Sequence, residues 1–292
     1  MCYLQKQLTQ LDTKIENAQR TFVIGDKWLY YKIYCGVKTT DTLLLEVIKP
    51  LTEQLIEEKI IDKWFFIRYS DPEPHVIFRV QFIDIKNIGA VIKKIKNLLQ
   101  PYMNSNQVWD VALATYKREL ERYGTNTIED AELFFYYDSL MILKIIKNSK
   151  DDETRFLTLF KWLEKILLLF KFEDTGLLSF LERMQEQFKE EFSVDKRVRK
   201  ELSNTYRKLA PALFDKEDTN ALKIYNPTET VERFLKLKKE QKLEVSLDNV
   251  VASFIHMSVN RCFRSKQRLY EMMLYDFLYR KNKSKFVRYG RL

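Results

Sequence analysis

Glycine and proline are scarce in this chain of 292 residues, with six of each. That excludes collagen-like and linker-rich chains and disfavours an all-β fold, whose tight turns use both residue types heavily. Histidine is scarcer still, occurring only as His75 and His256. Two imidazoles so far apart in sequence cannot supply a His-rich zinc site, an HExxH helix or a two-His facial triad. The three cysteines, Cys2, Cys35 and Cys262, are odd in number and widely separated. They form no redox or zinc spacing, and a reducing cytoplasm is the expected setting. There is no GxGxxG, P-loop or GxSxG stretch. No metal and no organic cofactor is therefore expected, and acid–base chemistry must rest on a histidine, carboxylates, Tyr or Lys. Long apolar runs are missing as well. The first 20 residues are polar throughout, with no signal peptide, and runs such as LLLF (167–170) are far too short to cross a bilayer, so membrane insertion is not expected.

What is present is a mixed-charge, aromatic-rich chain. Fifty Lys and Arg against 41 Asp and Glu leave a net charge of +9, which suits an anionic substrate or partner without implying nucleic acid. Leu4, Leu8, Leu11, Ile15 and Ala18 fall at helical steps, predicting an N-terminal helix within 1–27. WLYYKIYCG (28–36) reads as a strand. Residues 39–61 read as a helix opened by Thr and Asp caps and kinked at Pro50. Residues 63–70 and 75–82 read as strands joined by the turn DPEP, 87–100 as an amphipathic helix, and 107–120 as a fourth strand whose end is equally compatible with helix. The order β-α-β-β-α-β is the ferredoxin-like pattern. Seven segments of helical spacing follow from Ile128, and the basic tail 280–292 is expected to fray. The expected fold is α+β: an N-terminal ferredoxin-like sheet unit (28–124) followed by a largely α-helical C-terminal half (125–292), within one domain of residues 1–292.

Candidate chemistry gathers in three stretches: WFFIRYSDPEPHVIFRV (64–80), YKRELERYG (116–124) with AELFFYYDS (131–139), and SFIHMSVNR (253–261). His75, Ile77 and Arg79 share one face of a strand, and the facing of Arg68 depends on hairpin register. Arg118 and Arg122 share a face whether that stretch is helical or extended. Arg79, Arg118 and Arg122 could thus converge on one anion, since the guanidinium fork stays charged and grips carboxylates bidentately. Val250, Phe254 and Met257 form an apolar helical stripe with His256 at its edge, where partial desolvation favours the neutral, basic imidazole. Asn260, one turn on, is placed to orient it. Spacing alone leaves plainer roles open: arginines reaching to solvent, a histidine packed in the core, FFYY as core filling, and 118–122 as a solvated charged face.

These stretches, in this order, resemble the C-terminal domain of class I lanthipeptide dehydratases, the nisin-type enzymes, also found as the thiopeptide-type bacteriocin biosynthesis domain. The family's Trp-led strand corresponds to 28–36 and its Asp-initiated helix to TTDTLLLEVIKPL. Its WFFIRY-like strand, turn and His-x-Arg-x-Arg strand correspond to 64–80. Its YxREhxRYGG stretch, AExhFxxDS helix and SxIHMxxNR segment follow in register, so the resemblance runs from about residue 28 to the C-terminus. It implies a lyase that eliminates glutamate from glutamylated Ser or Thr of a ribosomally made precursor peptide, leaving dehydroalanine or dehydrobutyrine. It implies catalytic roles for His256, Arg79 and Arg122. Arg118, Arg68, Tyr123, Asn260 and Arg261 are candidate substrate contacts. An α-proton must be taken and an anionic leaving group held, which is work for a histidine and arginines. Three positions depart from the family: Ile77 stands for the first arginine of the paired strand, Thr125 for the second glycine of RYGG, and Arg264 for a glycine. Whether Arg68 compensates for Ile77 is left open. The family's large glutamylating domain does not fit in 292 residues. The implied partners are therefore the glutamylated precursor peptide and a separate glutamyl-tRNA-dependent glutamylation protein, with a cyclase and a second copy of the chain as further candidates. Ile77 also keeps two alternatives in view: a thiopeptide-type [4+2] cycloaddition (pyridine synthase) enzyme, and a non-catalytic scaffold that binds the precursor peptide.

Overall fold

The computed structural model describes residues 18–172, 174–215 and 227–289. The N-terminal helix expected from the leucine spacing lies almost wholly on residues 1–17, outside the described residues, and residues 18–20 are not helical. The protein is α+β, with small antiparallel sheets and a helical remainder. A two-residue strand β1 (Thr21–Phe22) leads into β2 (Trp28–Cys35). Helix α1 follows as Val37–Leu43, widens into a π-helical stretch over Leu44–Ile48 and ends as Lys49–Glu57. The widening lies immediately before Pro50, whose ring and missing N–H disturb an ordinary α-turn, so the expected kink takes this form. Then come β3 (Ile61–Tyr69), β4 (His75–Phe82), α2 (Ile88–Asn104), β5 (Val108–Ala114) and β6 (Tyr116–Lys117). The fourth predicted strand is thus two pieces, and its end turns into the short helix α3 (Leu120–Tyr123). Arg118 and Arg122 accordingly do not share one regular element.

The main sheet has the order β3-β4-β2-β5, each neighbouring pair antiparallel, and β1 pairs with β6. Register fixes the faces. Phe65, Arg79, Tyr30 and Ala114 are mutual partners across the sheet, so they share one face; Arg68, Val76, Ile33 and Val111 share the other. The second face packs on α1: Cys35 Sγ lies 3.3 Å from Thr40 Oγ1, and Arg68 is paired with Asp41. Asp41 is therefore a buried bridge inside α1 rather than its cap. It also binds Arg155 (3.1 Å) and Arg264 (2.6 Å). Burial pushes its carboxyl up, but these guanidiniums outweigh that and leave it below the ordinary carboxylate range.

Seven helices make up the rest of the described residues: α4 (Ile128–Asn148), α5 (Asp152–Leu169), α6 (Asp174–Glu191), α7 (Lys196–Phe214), α8 (Thr228–Lys239), α9 (Leu247–Cys262) and α10 (Gln267–Tyr289). None is long and apolar enough to cross a membrane. The tail does not fray at residue 280: Lys281 and Asn282 are buried, and Lys281 Nζ donates to Glu164 (2.8 Å) and to the Leu213 carbonyl (2.5 Å), which carries α10 on to Tyr289. The helices meet the sheet along its β3 edge. The Phe66 N–H donates to Ser139 Oγ (3.4 Å) on α4, and Arg261 Nε on α9 donates to the Phe66 carbonyl (2.7 Å). The Arg68 N–H donates to Asn260 Oδ1 (3.0 Å), while Asn260 Nδ2 donates to the Arg68 carbonyl (2.9 Å). Side chains thus take the place of a neighbouring strand and close an edge that would otherwise be open for pairing. The same contacts fix α9, which carries His256, against the sheet.

Candidate active site

Asp248, Ala252 and His256 follow one another at four-residue steps on α9 and line one cavity of about 810 Å³. Its other walls come from α6 through Arg183, from the start of α10 through Arg268 and Glu271, from α3 through Arg122, and from Glu244 in the turn before α9. His256 is about one-third exposed, at the edge of the stripe formed by the buried Val250, Phe254 and Met257. Its Nδ1 donates to Glu271 Oε2 at 2.9 Å, and Glu271 is 2% exposed. A carboxylate at Nδ1 fixes that tautomer, leaves Nε2 with the free lone pair, and stabilises the imidazolium that forms when Nε2 takes a proton. The same Glu271 oxygen accepts from Arg268 Nη1 at 2.8 Å, and Arg268 is anchored in turn to Glu191 on α6 and lies 4.4 Å over the Phe188 ring. The imidazole is therefore oriented by Glu271; Asn260, expected to do so, is occupied with the Arg68 backbone.

Arg122 is half-exposed at the cavity and pairs with Glu119 at 3.0 Å. Arg183, also half-exposed, donates to Asp248 Oδ2 at 2.7 Å. Tyr123, buried behind this wall, shares a 2.7 Å hydrogen bond with Ser253, which lines the cavity. Burial pushes the Tyr123 hydroxyl up, so it stays protonated. The arrangement provides a base with a paired carboxylate, set in a concave site with three arginines. It can take a proton from carbon or a heteroatom and stabilise anionic charge nearby.

The structure brings His256 and Arg122 to one cavity and Tyr123 to its wall. It does not bring the other candidate residues there. Arg118 is fully buried: its Nε and Nη2 donate to Glu132 at 2.7 and 2.6 Å, and Tyr116 completes the cluster by donating to the same carboxylate at 2.8 Å. Arg261 is buried against Asp138 at 2.9 Å. Arg68 faces α1, opposite to Ile77 and Arg79, so it cannot stand in for an arginine at position 77. Arg79 is stacked among Tyr30, Tyr116 and Phe65, with its guanidinium carbon 4.7, 4.2 and 5.3 Å from the ring centroids, and is not among the cavity-lining residues. The contacts of Phe65 with Phe135, and of Phe135 with Tyr123, form a layer of rings beside it. Spacing arguments missed Glu271, Arg268, Arg183 and Asp248. Glu271 carried a readable signal: it falls on one helical stripe with the buried Leu274, Tyr275 and Leu278, where a carboxylate requires a partner.

A family model described as the lantibiotic biosynthesis dehydratase C-terminal domain matches residues 28–281. The chain is 26% identical over 250 residues to the epidermin biosynthesis protein EpiB of Staphylococcus epidermidis, covering 80% of this chain and 24% of that protein. It is 25% identical over 265 residues to the subtilin biosynthesis protein SpaB of Bacillus subtilis, covering 85% and 25%. The chain thus spans about a quarter of the length of these curated relatives. Among solved structures, the tRNA-dependent lantibiotic dehydratase MibB from Microbispora sp. 107891 superposes with a TM-score of 0.66 at 19% identity, over 91% of this chain and 29% of that one. The pyridine synthase TbtD from thiomuracin biosynthesis superposes with a TM-score of 0.59 at 10% identity, over 89% and 98%. At these identities the structural likeness shows the fold alone.

Proposed function

Because this chain belongs to the lantibiotic biosynthesis dehydratase C-terminal family, we propose that it eliminates glutamate from glutamylated Ser or Thr residues of a precursor peptide. The observation that carries this reading is the buried Glu271 carboxylate on His256 Nδ1, inside a cavity that also holds Arg122, Arg183 and Arg268. In this reading His256 Nε2 removes the Cα proton of the esterified residue. The electron pair left on Cα forms the Cα–Cβ double bond as the Cβ–O bond breaks, and glutamate leaves as a carboxylate. The proton rests on the imidazole, stabilised by Glu271, until water takes it. Arg122 stabilises negative charge on the departing carboxylate. Arg79, outside the cavity, is assigned no contact with it, and Arg118, Arg68, Arg261 and Asn260 are assigned to holding the site's framework. The reaction is that of a lyase, with the precursor peptide as substrate and a separate glutamylating protein as supplier. The strand order β3-β4-β2-β5 with its two crossing helices supports describing the N-terminal part as a ferredoxin-like unit.

The test is to incubate the purified protein with a synthetic peptide carrying one glutamylated Ser and follow the peptide mass. Conversion to dehydroalanine with release of glutamate is the expected result; unchanged ester would refute the reading. Ile77, on the Arg79 face where the family pattern has an arginine, favours a second reading, cycloaddition on an already dehydrated peptide. A peptide with two dehydroalanines that cyclises while the glutamylated peptide stays intact would establish that alternative instead.

A further inference from the structure

Four carboxylates line the cavity, and three are already spoken for. Glu271 is buried and shared by His256 and Arg268. Glu244 is gripped by Thr125, whose backbone N–H and hydroxyl both donate to it at 2.6 Å. Glu121 is mostly exposed and paired with Arg20. Asp248 differs. It is two-thirds buried, its Oδ2 accepts from Arg183 at 2.7 Å, and no hydrogen bond to its Oδ1 is found among the described residues. It also stands on the same face of α9 as His256, eight residues earlier, with Ala252 at the step between them and Asn249 and Ser253 beside it.

Eight residues of α-helix advance about 12 Å. An α-aminoacyl ester of serine places its ammonium roughly 6 Å from the serine Cα by covalent geometry. With a hydrogen-bond reach of about 3 Å at each end, the ester bridges about 12 Å between side-chain atoms, of the same order as the backbone advance from Asp248 to His256. Resting on the elimination reading, we infer that Asp248, held in place by Arg183, receives the free ammonium group of the glutamyl ester while His256 meets the α-proton at the other end. Asp248 then sets specificity for an α-amino acyl group over an acyl group without the amine. A carboxylate with one oxygen anchored by an arginine and the other free is a fixed acceptor for an ammonium.

The test compares kcat/KM for two serine peptides, one carrying a glutamyl ester and one carrying a glutaryl ester, which keeps the side-chain carboxylate and lacks only the amine. The wild-type protein should prefer the glutamyl ester by at least about tenfold, the worth of one charge-assisted hydrogen bond. Asp248→Asn should lower that preference to below about threefold, and Asp248→Glu should retain part of it. Both variants alter a partly exposed ion pair at the cavity wall and should keep the wild-type melting temperature. A preference that survives in Asp248→Asn, or a wild-type protein that treats both esters alike, overturns the inference while leaving the elimination reading standing. Failure of the wild-type protein on both esters refutes the elimination reading itself, and this inference with it.

Discussion

Glu271→Gln isolates what the buried carboxylate does for His256, because it removes the charge and keeps the shape. The heavy atoms are 2.9 Å apart, which puts an imidazolium and the carboxylate at charge centres about 4 Å apart. At an effective dielectric constant near 20, such a pair gains about 4 kcal/mol. Arg268 shares the same oxygen at 2.8 Å and already satisfies part of the carboxylate's charge, so the imidazolium-specific share falls to about 2–3 kcal/mol. If the imidazolium forms only as the proton is transferred, that loss appears in kcat, as a fall of roughly 30- to 150-fold. Binding of the glutamylated peptide should change little. The assay is single-turnover loss of glutamate followed by peptide mass, with melting temperature measured in parallel. Arg268 retains Glu191 in the variant, so the helix contact survives. A folded Glu271→Gln protein with a rate within threefold of wild type would refute the reasoning, since the pair would then be only a structural contact.

Arg118 and Arg122, four residues apart, should behave oppositely. Arg118→Ala strands the buried Glu132 and should destabilise the fold by about 3–5 kcal/mol, read as a large drop in melting temperature, whereas Arg122→Ala should keep its melting temperature and lose elimination by at least about tenfold. Asp130, near the start of α4, has its carboxyl pushed up to about 6 by burial, against the smaller opposing pull of Arg233. A carboxyl raised in the folded state contributes stability below its unfolded value near 4, and this is lost as pH rises through about 6. Asp130→Asn should therefore raise stability at pH 7.5 by at most about 2–3 kcal/mol and leave it nearly unchanged at pH 4, by denaturant titration at both pH values; equal effects at the two would contradict this.

The sheet and the helices were legible because both are written in local periodicity. WLYYKIYC and HVIFRVQF are strands for their β-branched and aromatic content, and the seven later segments repeat apolar residues at helical steps. The failures share a cause, which is that side-chain partners come from distant parts of the chain. Asp41 reads locally as a cap, yet its partners lie at 68, 155 and 264. Asn260 and Arg261 read as site residues beside His256, yet both are taken up by hydrogen bonds to the β3 edge. Arg68 could be assigned to a face only once the pairing with Val76 fixed the register. His256 was legible as a partly desolvated histidine on an apolar stripe. Its carboxylate partner was not, because Glu271 arrives from the next helix across the turn at 263–266.

The most direct measurement of the central claim sets wild type and His256→Ala side by side on the same glutamylated Ser peptide. His256 is partly exposed and its ring fills no core position, so the variant should melt within a few degrees of wild type. Wild type should convert the ester to dehydroalanine and release one glutamate per peptide, while folded His256→Ala should bind the peptide and leave the ester intact. Undiminished turnover by the folded variant would contradict the assignment of His256 as the base around which the cavity is organised.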